Sequence, residues 1–210
     1  VGKLKKEGFD GVIVMATNPV DLLVQVALEE SGLPTGQIVG TGTLVDTARL
    51  RGMLAEAFDI EPRGVDAYII GEHGDSEVAV WSGARIAGVP LLRHSDSGEA
   101  RDLDRMLERV RRAAPEVVRR KGHTEYAIGL CVQRICEAVL RNEHAVIAVS
   151  TVLDGEYGRT DVCLGTPCVV GKNGIERIIE LDLDEEERKA LHRSAETLRR
   201  LNPRLSAGAA

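Results

Sequence analysis

The fold class follows from the run Gly11-Val12-Ile13-Val14-Met15-Ala16, which ends at Thr17-Asn18-Pro19. A second short apolar run, Gln37-Ile38-Val39-Gly40, follows about one helix length later. Continuous apolar runs of this kind are typical of buried parallel strands. Residues 20–31 lie between the two runs, have helical spacing, begin after Pro19 and stop at Gly32. The stretch therefore predicts a strand-helix-strand unit of a parallel sheet.

The remainder of the chain first alternates between helices and strands and then turns mainly to strands. The predicted segments are a helix at 43–58, a strand at 65–70, helices at 98–121 and 124–142, strands at 146–153, 162–170 and 175–181, a hairpin turn at Asn173-Gly174 and a helix at 183–201. This order predicts an α/β unit over 1–40 followed by an α+β domain over 41–210. We expect a compact boundary near Gly40, because no Pro/Gly/Ser-rich linker is present.

Composition places the chain among globular proteins and limits its partners. Of its 210 residues, 43% are hydrophobic and 29% are charged, and the formal net charge is -6. A chain of net negative charge has no general attraction for nucleic acid or for an anionic membrane. The longest apolar runs, residues 11–16 and 145–153, are far too short to span a bilayer. We therefore expect no nucleic-acid partner, no membrane segment and a cytoplasmic location.

The cysteines and the N-terminus bear on compartment and completeness. Cys131 and Cys136 fall in a helical segment, Cys163 and Cys168 fall in strand-like segments, and neither pair has the spacing of metal ligands. Reduced core thiols are expected, and no metal site. The chain begins at Val1 without an initiator methionine or a secretory leader. We expect it to be the C-terminal portion of a longer protein.

One motif of dinucleotide-binding folds is incomplete. Such folds carry Gly-x-Gly-x-x-Gly between the first strand and helix, where glycine lets the backbone approach a pyrophosphate. The nearest match is Gly40-Thr41-Gly42, and Val45 stands where the third glycine would be. The sequence therefore does not supply the pyrophosphate-binding half of such a fold.

The candidate chemistry centres on His73, which lies between Gly71 and Gly74 after a strand and can be presented for proton transfer. Asp46 and Arg49 are close enough in sequence to share one helix face. One interpretation is a surface ion pair. In the second interpretation, Asp46 orients His73 and raises its pKa, while Arg49 binds a substrate carboxylate.

Three segments resemble motifs of a known family. They are Ala16-Thr17-Asn18-Pro19-Val20-Asp21, Gly40-Thr41-Gly42-Thr43-Leu44-Val45-Asp46-Thr47-Ala48-Arg49 and Gly71-Glu72-His73-Gly74-Asp75. Their order and separation look like those in the C-terminal half of L-lactate dehydrogenases, within the lactate/malate dehydrogenase family. The resemblance runs from about Gly11 to the end of the chain. It implies the end of a doubly wound parallel Rossmann sheet, followed by the C-terminal α+β domain of this family.

The resemblance also implies roles for individual residues. It makes His73 the proton donor and acceptor, Asp46 its orienting carboxylate and Arg49 the anchor for the substrate carboxylate. The residues implied in substrate binding are Asn18, Asp21, Asp46, Arg49 and Thr124. The residues implied in binding NAD, the cofactor of this family, are Ala16, Thr17, Asn18, Thr41 and Ile128. The first of these lie at the carboxyl end of a strand, where open parallel sheets place ligands.

The implied activity is that of an L-lactate dehydrogenase, an oxidoreductase of glycolysis and lactate fermentation that interconverts (S)-lactate and pyruvate with NAD⁺ and NADH. It requires the N-terminal portion of the enzyme. Malate dehydrogenases share the catalytic residues and are the close alternative, although Glu72 and Thr124 resemble the lactate enzymes. Two other interpretations stay open. One is a non-catalytic fragment, and the other is a structural α/β domain in which Asp46, Arg49 and His73 are unrelated surface groups.

A regulatory site is a further expectation. In lactate dehydrogenases activated by fructose 1,6-bisphosphate, an arginine and a histidine bind the effector across a subunit interface. Arg51 matches the arginine, but Asp66 stands where the histidine is expected. A carboxylate repels phosphate, so activation by this sugar phosphate is expected to be weak or absent. The resemblance also implies a homotetramer in the cytoplasm.

Overall fold

Six α-helices and ten strands make up the part of the chain that the computed structural model describes, residues 1–97 and 102–202. The helices are α1 (Gly2–Lys6), α2 (Val20–Ser31), α3 (Leu44–Ala57), α4 (Leu103–Lys121), α5 (Tyr126–Leu140) and α6 (Glu185–Leu201). The strands are β1 (Ile13–Met15), β2 (Ile38–Gly40), β3 (Val65–Asp66), β4 (Ile69–Ile70), β5 (Val78–Ala79), β6 (Arg85–Ile86), β7 (Val89–Pro90), β8 (Ala145–Asp154), β9 (Thr160–Gly171) and β10 (Gly174–Ile178). None of the helices in these ranges is long and apolar enough to cross a membrane.

A five-stranded mixed sheet forms the centre of the fold, in the order β1-β2-β8-β9-β10. β1 and β2 pair in parallel around α2, as the sequence predicts. β8, β9 and β10 pair antiparallel, and the predicted turn at Asn173-Gly174 joins the last two. β2 meets β8 at one antiparallel pair, Gly40 with Ser150. The predicted α/β unit and α+β domain therefore share one sheet, and the boundary near Gly40 stays a prediction.

Local signals account for where the helices begin and end. α2 begins directly after Pro19 and ends at Gly32, which adopts the left-handed conformation with φ 56°. α6 begins with a capping box, in which the side chains of Asp184 and Glu187 each accept from the other residue's backbone N–H. The capping box satisfies N–H groups that have no partner inside α6, and the Gly32 N–H donates to the Leu28 carbonyl at the end of α2.

The predicted segments are confirmed with three differences, the first being that the strand predicted at 175–181 ends at Ile178. The strand predicted at 65–70 is two strands in separate sheets, because α3 side chains bind the backbone at its middle: Arg51 Nε donates to the Ala67 carbonyl at 2.8 Å. The helix predicted at 98–121 begins at Leu103, and residues 98–101 lie outside the described residues. In addition, α1 forms where the sequence indicated no helix.

The first turn of α3 is fixed against β4. Thr43 Oγ1 donates to the Ile69 carbonyl at 2.6 Å, and the Ile69 N–H donates to Thr47 Oγ1 at 3.1 Å. Further along α3, Leu50 and Leu54 are fully buried in a core cluster that also contains Ile69. These contacts hold α3 in place, and with it any side chain that it directs toward the loop after β4.

Candidate active site

His73 and Asp46 form a hydrogen-bonded pair beyond the end of β4. His73 lies in the loop that follows β4, and Asp46 lies in the first turn of α3. Nδ1 of His73 is 2.6 Å from Oδ2 of Asp46, which is a buried residue. A carboxylate that accepts from Nδ1 fixes the imidazole tautomer, so Nε2 becomes the atom that can exchange a proton.

Arg49 shares the same carboxylate. Its Nη1 lies 3.3 Å from Oδ1 of Asp46, and both residues are on α3. The Asp46 side chain is only 4% exposed and that of Arg49 is 20% exposed. The pair is therefore not a surface ion pair, because its carboxylate is buried and also binds His73. The structure brings together the three residues that the sequence singled out.

Three distant segments hold the backbone of the loop at 71–77. Gly71 exchanges two backbone hydrogen bonds with Gly165 of β9, at 2.9 and 2.8 Å. The Glu72 N–H donates to Ser194 Oγ of α6 at 2.8 Å, and the His73 N–H donates to Asp21 Oδ2 of α2 at 2.8 Å. The left-handed φ of 96° at Gly71, where a Cβ would lie 2.8 Å from Ser194 Oγ, makes glycine necessary at this position.

Asp21 supports this loop from within the fold. Its Oδ1 accepts from the Ser150 hydroxyl and its Oδ2 accepts from the His73 N–H, so both carboxylate oxygens have protein donors. Burial raises the pKa of Asp21 to about 6, although the hydrogen bonds from Ser150 and His73 favour the charged form. The residue expected to bind substrate is thus placed where it positions His73.

The electrostatic surroundings of His73 favour imidazolium. Burial of the ring opposes protonation, but the hydrogen bond to Asp46 and the negative charges of Asp46 and Asp21 outweigh it. The pKa of His73 therefore lies above its ordinary value. A histidine of this kind can donate a proton near neutral pH and take one back.

A family model for the lactate/malate dehydrogenase alpha/beta C-terminal domain matches residues 43–203, which include Asp46, Arg49 and His73. The chain belongs to the lactate/malate dehydrogenase family. Among curated members, an L-lactate dehydrogenase of Bacillus pumilus (strain SAFR-032) is 46% identical over 204 residues, which cover 96% of this chain and 65% of the relative. An L-lactate dehydrogenase of Synechococcus sp. (strain JA-3-3Ab) is 48% identical over 190 residues, covering 90% of this chain and 62% of the relative. The chain thus spans less than two thirds of the length of these relatives.

Solved structures of this family share the fold. The ligand-bound crystal structure of a minor L-lactate dehydrogenase from Enterococcus mundtii matches 95% of this chain and 66% of its own, with 42% identity and a TM-score of 0.90. A lactate dehydrogenase from a Medee basin deep-sea metagenome library matches 98% of this chain and 68% of its own, with 39% identity and a TM-score of 0.92. The predicted α/β and α+β fold class is confirmed.

The residues that the lactate/malate dehydrogenase resemblance assigns to NAD lie in three segments, two of which are neighbours in the sheet. Ala16, Thr17 and Asn18 are exposed just beyond the end of β1. Thr41 is buried just beyond β2, and its N–H donates to the Met15 carbonyl at 2.9 Å. Ile128 is half-buried in the first turn of α5. The first two groups lie together at the carboxyl edge of the parallel strand pair.

A groove between α3 and α5 extends from Arg49. It encloses about 400 Å³ and is lined by Leu44, Val45, Ala48, Arg49, Ala127, Leu130, Cys131 and Arg134. Thr124, expected to bind substrate, is exposed two residues before α5, outside this lining. The structure therefore places the guanidinium of Arg49 at an apolar groove, with Thr124 near the start of the helix that forms its other wall.

Arg51 is directed to a different set of groups from Arg49. Its Nη2 lies 3.6 Å from Oδ1 of Asp66, its Nε donates to the Ala67 carbonyl at 2.8 Å, and its guanidinium lies 4.6 Å from the centre of the Tyr68 ring. Both residues expected at a regulatory site are thus in contact with each other. In the described ranges, no group of three or more His, Cys, Asp or Glu side chains could hold a metal ion.

Sequence reasoning missed Glu77, the last residue of the loop. Its side chain is buried, and burial followed by the charge of Asp46 raises its pKa to about 8. The one sequence signal for its burial is its position directly before the apolar run Val78-Ala79-Val80. Ser150 and Ser194 were also missed, since no local pattern connects them with residues far away in the chain.

Proposed function

We propose that this chain is the substrate-holding portion of an NAD-dependent L-lactate dehydrogenase. The observation that carries the proposal is the 2.6 Å contact between His73 and Asp46, with Arg49 on the same carboxylate. An imidazole of raised proton affinity beside a guanidinium suits a reaction that moves a proton on a substrate with a carboxylate. The L-lactate dehydrogenases among the relatives support this choice of substrate.

In lactate oxidation, neutral His73 takes the proton of the substrate hydroxyl at Nε2. In pyruvate reduction, the imidazolium returns that proton to the carbonyl oxygen. When bound, NAD supplies the hydride acceptor and NADH the hydride donor. Asp46 holds the tautomer and stabilises the imidazolium through its contact with Nδ1. Arg49 binds the substrate carboxylate, which places the hydroxyl or carbonyl oxygen of the substrate beside Nε2 of His73.

The residues present fit one end of NAD. Thr17 and Asn18 offer exposed polar side chains beyond β1, where open parallel sheets hold ligands. A pyrophosphate needs a glycine-rich turn, and Gly40-Thr41-Gly42 lacks the third glycine. We therefore propose that residues 1–40 complete a Rossmann domain whose pyrophosphate site comes from elsewhere in the protein, and that residues 41–210 form the substrate domain.

The test is an NADH oxidation assay on the protein purified from its natural source, with pyruvate and with oxaloacetate, together with its intact mass. Preference for pyruvate supports a lactate dehydrogenase, and preference for oxaloacetate would make it a malate dehydrogenase. Turnover of neither substrate would contradict the proposal and favour a non-catalytic fragment.

His73→Asn should abolish turnover and leave NADH binding nearly intact. The matched control is His144→Asn, which changes a histidine whose side chain is 56% exposed. A normal rate in His73→Asn would remove the histidine from the mechanism.

We further propose that the assembled enzyme is a cytoplasmic homotetramer that fructose 1,6-bisphosphate activates weakly or not at all. Exposed apolar side chains on α5, Tyr126 and Leu130 among them, support contact with another subunit. The carboxylate of Asp66 forms an ion pair with Arg51 and would repel a phosphate. Light scattering and an assay with added effector test both points, and strong activation at micromolar effector would refute the second.

A further inference from the structure

Glu77 is a buried carboxyl group for which the proposed reaction has no use. The residue is 2% exposed, and its Oε1 has no hydrogen-bond partner among the described residues. Its backbone is firmly held: the N–H donates to the Gly74 carbonyl at 3.3 Å, and the carbonyl accepts from Arg111 Nη2 at 2.6 Å. A buried acid with an unpartnered oxygen is costly to ionise, so its surroundings decide whether it holds a proton.

Charged groups reach Glu77 from three directions. α3 contributes Asp46 and Arg49, α4 contributes Arg111, and the loop itself contributes His73. Burial and then the negative charge of Asp46 favour the neutral acid, while the three cationic groups favour the carboxylate. The first two effects prevail and raise the pKa of Glu77 to about 8, which favours the neutral acid near neutral pH.

We propose that Glu77 is a buried proton-binding group electrostatically coupled to Arg49, which keeps its proton when a carboxylate substrate occupies Arg49 and opposes substrate binding when it ionises. The inference rests on the proposed function, because it needs Arg49 to bind the substrate carboxylate. A bound carboxylate neutralises Arg49, one of the charges that favours ionised Glu77. Substrate therefore strengthens proton binding at Glu77, and by reciprocity the Glu77 proton strengthens substrate binding.

Two protons then control the reduction of pyruvate at alkaline pH. Pyruvate reduction needs the imidazolium form of His73, and substrate binding needs neutral Glu77. Above about pH 8, kcat/KM of the wild type should fall with the steepness of two lost protons. The alkaline fall of Glu77→Gln, whose amide imitates the neutral acid, should have the steepness of one lost proton. At about pH 9 the KM for pyruvate should be roughly tenfold lower in Glu77→Gln than in the wild type.

A first experiment tests the Glu77 proton without any catalysis. Because the folded-state pKa of Glu77 lies above its ordinary value of 4.5, the wild type loses stability as pH rises through this interval, and Glu77→Gln does not. Between about pH 5 and about pH 8, the folding equilibrium constant of the wild type should fall at least about tenfold relative to Glu77→Gln. The matched control is Glu186→Gln, whose side chain is 79% exposed in the wild type and whose curve should follow the wild type.

The second experiment measures the pH dependence of pyruvate KM for the wild type, Glu77→Gln and Glu186→Gln in the purified enzyme. Parallel stability curves, or the same alkaline slope in all three proteins, would overturn the inference while leaving the proposed function in place. A wild type without pyruvate turnover would overturn the proposed function, and the role in substrate binding with it.

Should Glu77→Gln fail to fold, NMR of wild-type enzyme labelled with ¹³C at glutamate carboxyl carbons replaces it. One glutamate should titrate near pH 8 and shift upward when NADH and oxamate, an unreactive pyruvate analogue, are added. The absence of any alkaline-titrating glutamate, or a titration unmoved by oxamate, would contradict the inference.

Discussion

Replacing Asp46 with asparagine tests the electrostatic basis of the site. The carboxylate lies 2.6 Å from Nδ1 of His73 and is buried, so water screens the interaction poorly. Hydrogen bonds to charged groups contribute about 1.5–3 kcal/mol, and one pKa unit corresponds to about 1.4 kcal/mol. Asp46→Asn should therefore lower the pKa of His73, because the imidazolium loses a charge-assisted hydrogen bond of about that energy. The pKa of His73 falls because burial of the ring disfavours the imidazolium, and without the Asp46 carboxylate less remains to offset that effect.

The assay is ¹⁵N NMR of the full chain labelled at histidine, titrated with pH. It needs no cofactor or substrate, so it measures the His73 environment whatever the enzyme turns over. Asp66→Asn is the matched control, because it removes a carboxylate that is 64% exposed and contacts Arg51 instead of His73. An unchanged or higher His73 midpoint in Asp46→Asn would refute the argument that this carboxylate stabilises the imidazolium.

Three further substitutions test other contacts of the site. Arg49→Lys keeps the charge but loses the planar fork, so pyruvate KM should rise about tenfold or more while NADH affinity changes little. Asp21→Asn should gain stability relative to the wild type by about 2 kcal/mol as pH rises from about 4 to about 6, because the raised pKa of Asp21 makes its ionisation unfavourable in the folded protein. Gly71→Ala should cost about 1–3 kcal/mol of unfolding free energy, since its φ is 96° and a Cβ would contact Ser194 Oγ.

Steady-state kinetics and chemical denaturation measure these three effects. Equal losses of pyruvate and NADH affinity in Arg49→Lys would argue against a carboxylate anchor. Stability curves of Asp21→Asn and the wild type that stay parallel from pH 4 to 6 would mean that Asp21 ionises normally. The control for Gly71→Ala is Gly52→Ala, at a helical glycine with open space around its Cβ position. Equal stability in these two alanine variants would contradict the steric argument.

The sequence predicted the parts of the fold that depend on local patterns. Apolar runs and helical spacing located β1, α2 and β2 as a parallel unit, and Pro19 and Gly32 marked the ends of the helix. The spacing of Asp46 and Arg49 placed both on one helix face, where the structure has them in contact. These inferences hold because each needs only residues within a few turns of one another.

The contacts that hold the site in place could not be predicted in this way. Asp21 bonds Ser150, 129 residues away, and the Glu72 N–H bonds Ser194 across 122 residues. A buried serine or acid has no local signature, because the same residue types are common on surfaces. Glu77 illustrates the limit: it is buried among charged groups of α3 and α4, and only the arrangement of those helices reveals this.

The attachment of the His73 loop to α6 has a consequence for biosynthesis. α6 is the last helix of the described chain, and Ser194, near its middle, is one of the three anchors of that loop. A polypeptide leaves the ribosome from its N-terminus, and contacts between residues far apart in sequence form late in folding. His73 therefore reaches its working position only after α6 has emerged. Nascent chains that stop before residue 194 would lack one of the loop's three anchors, so the final placement of the imidazole depends on the synthesis of α6.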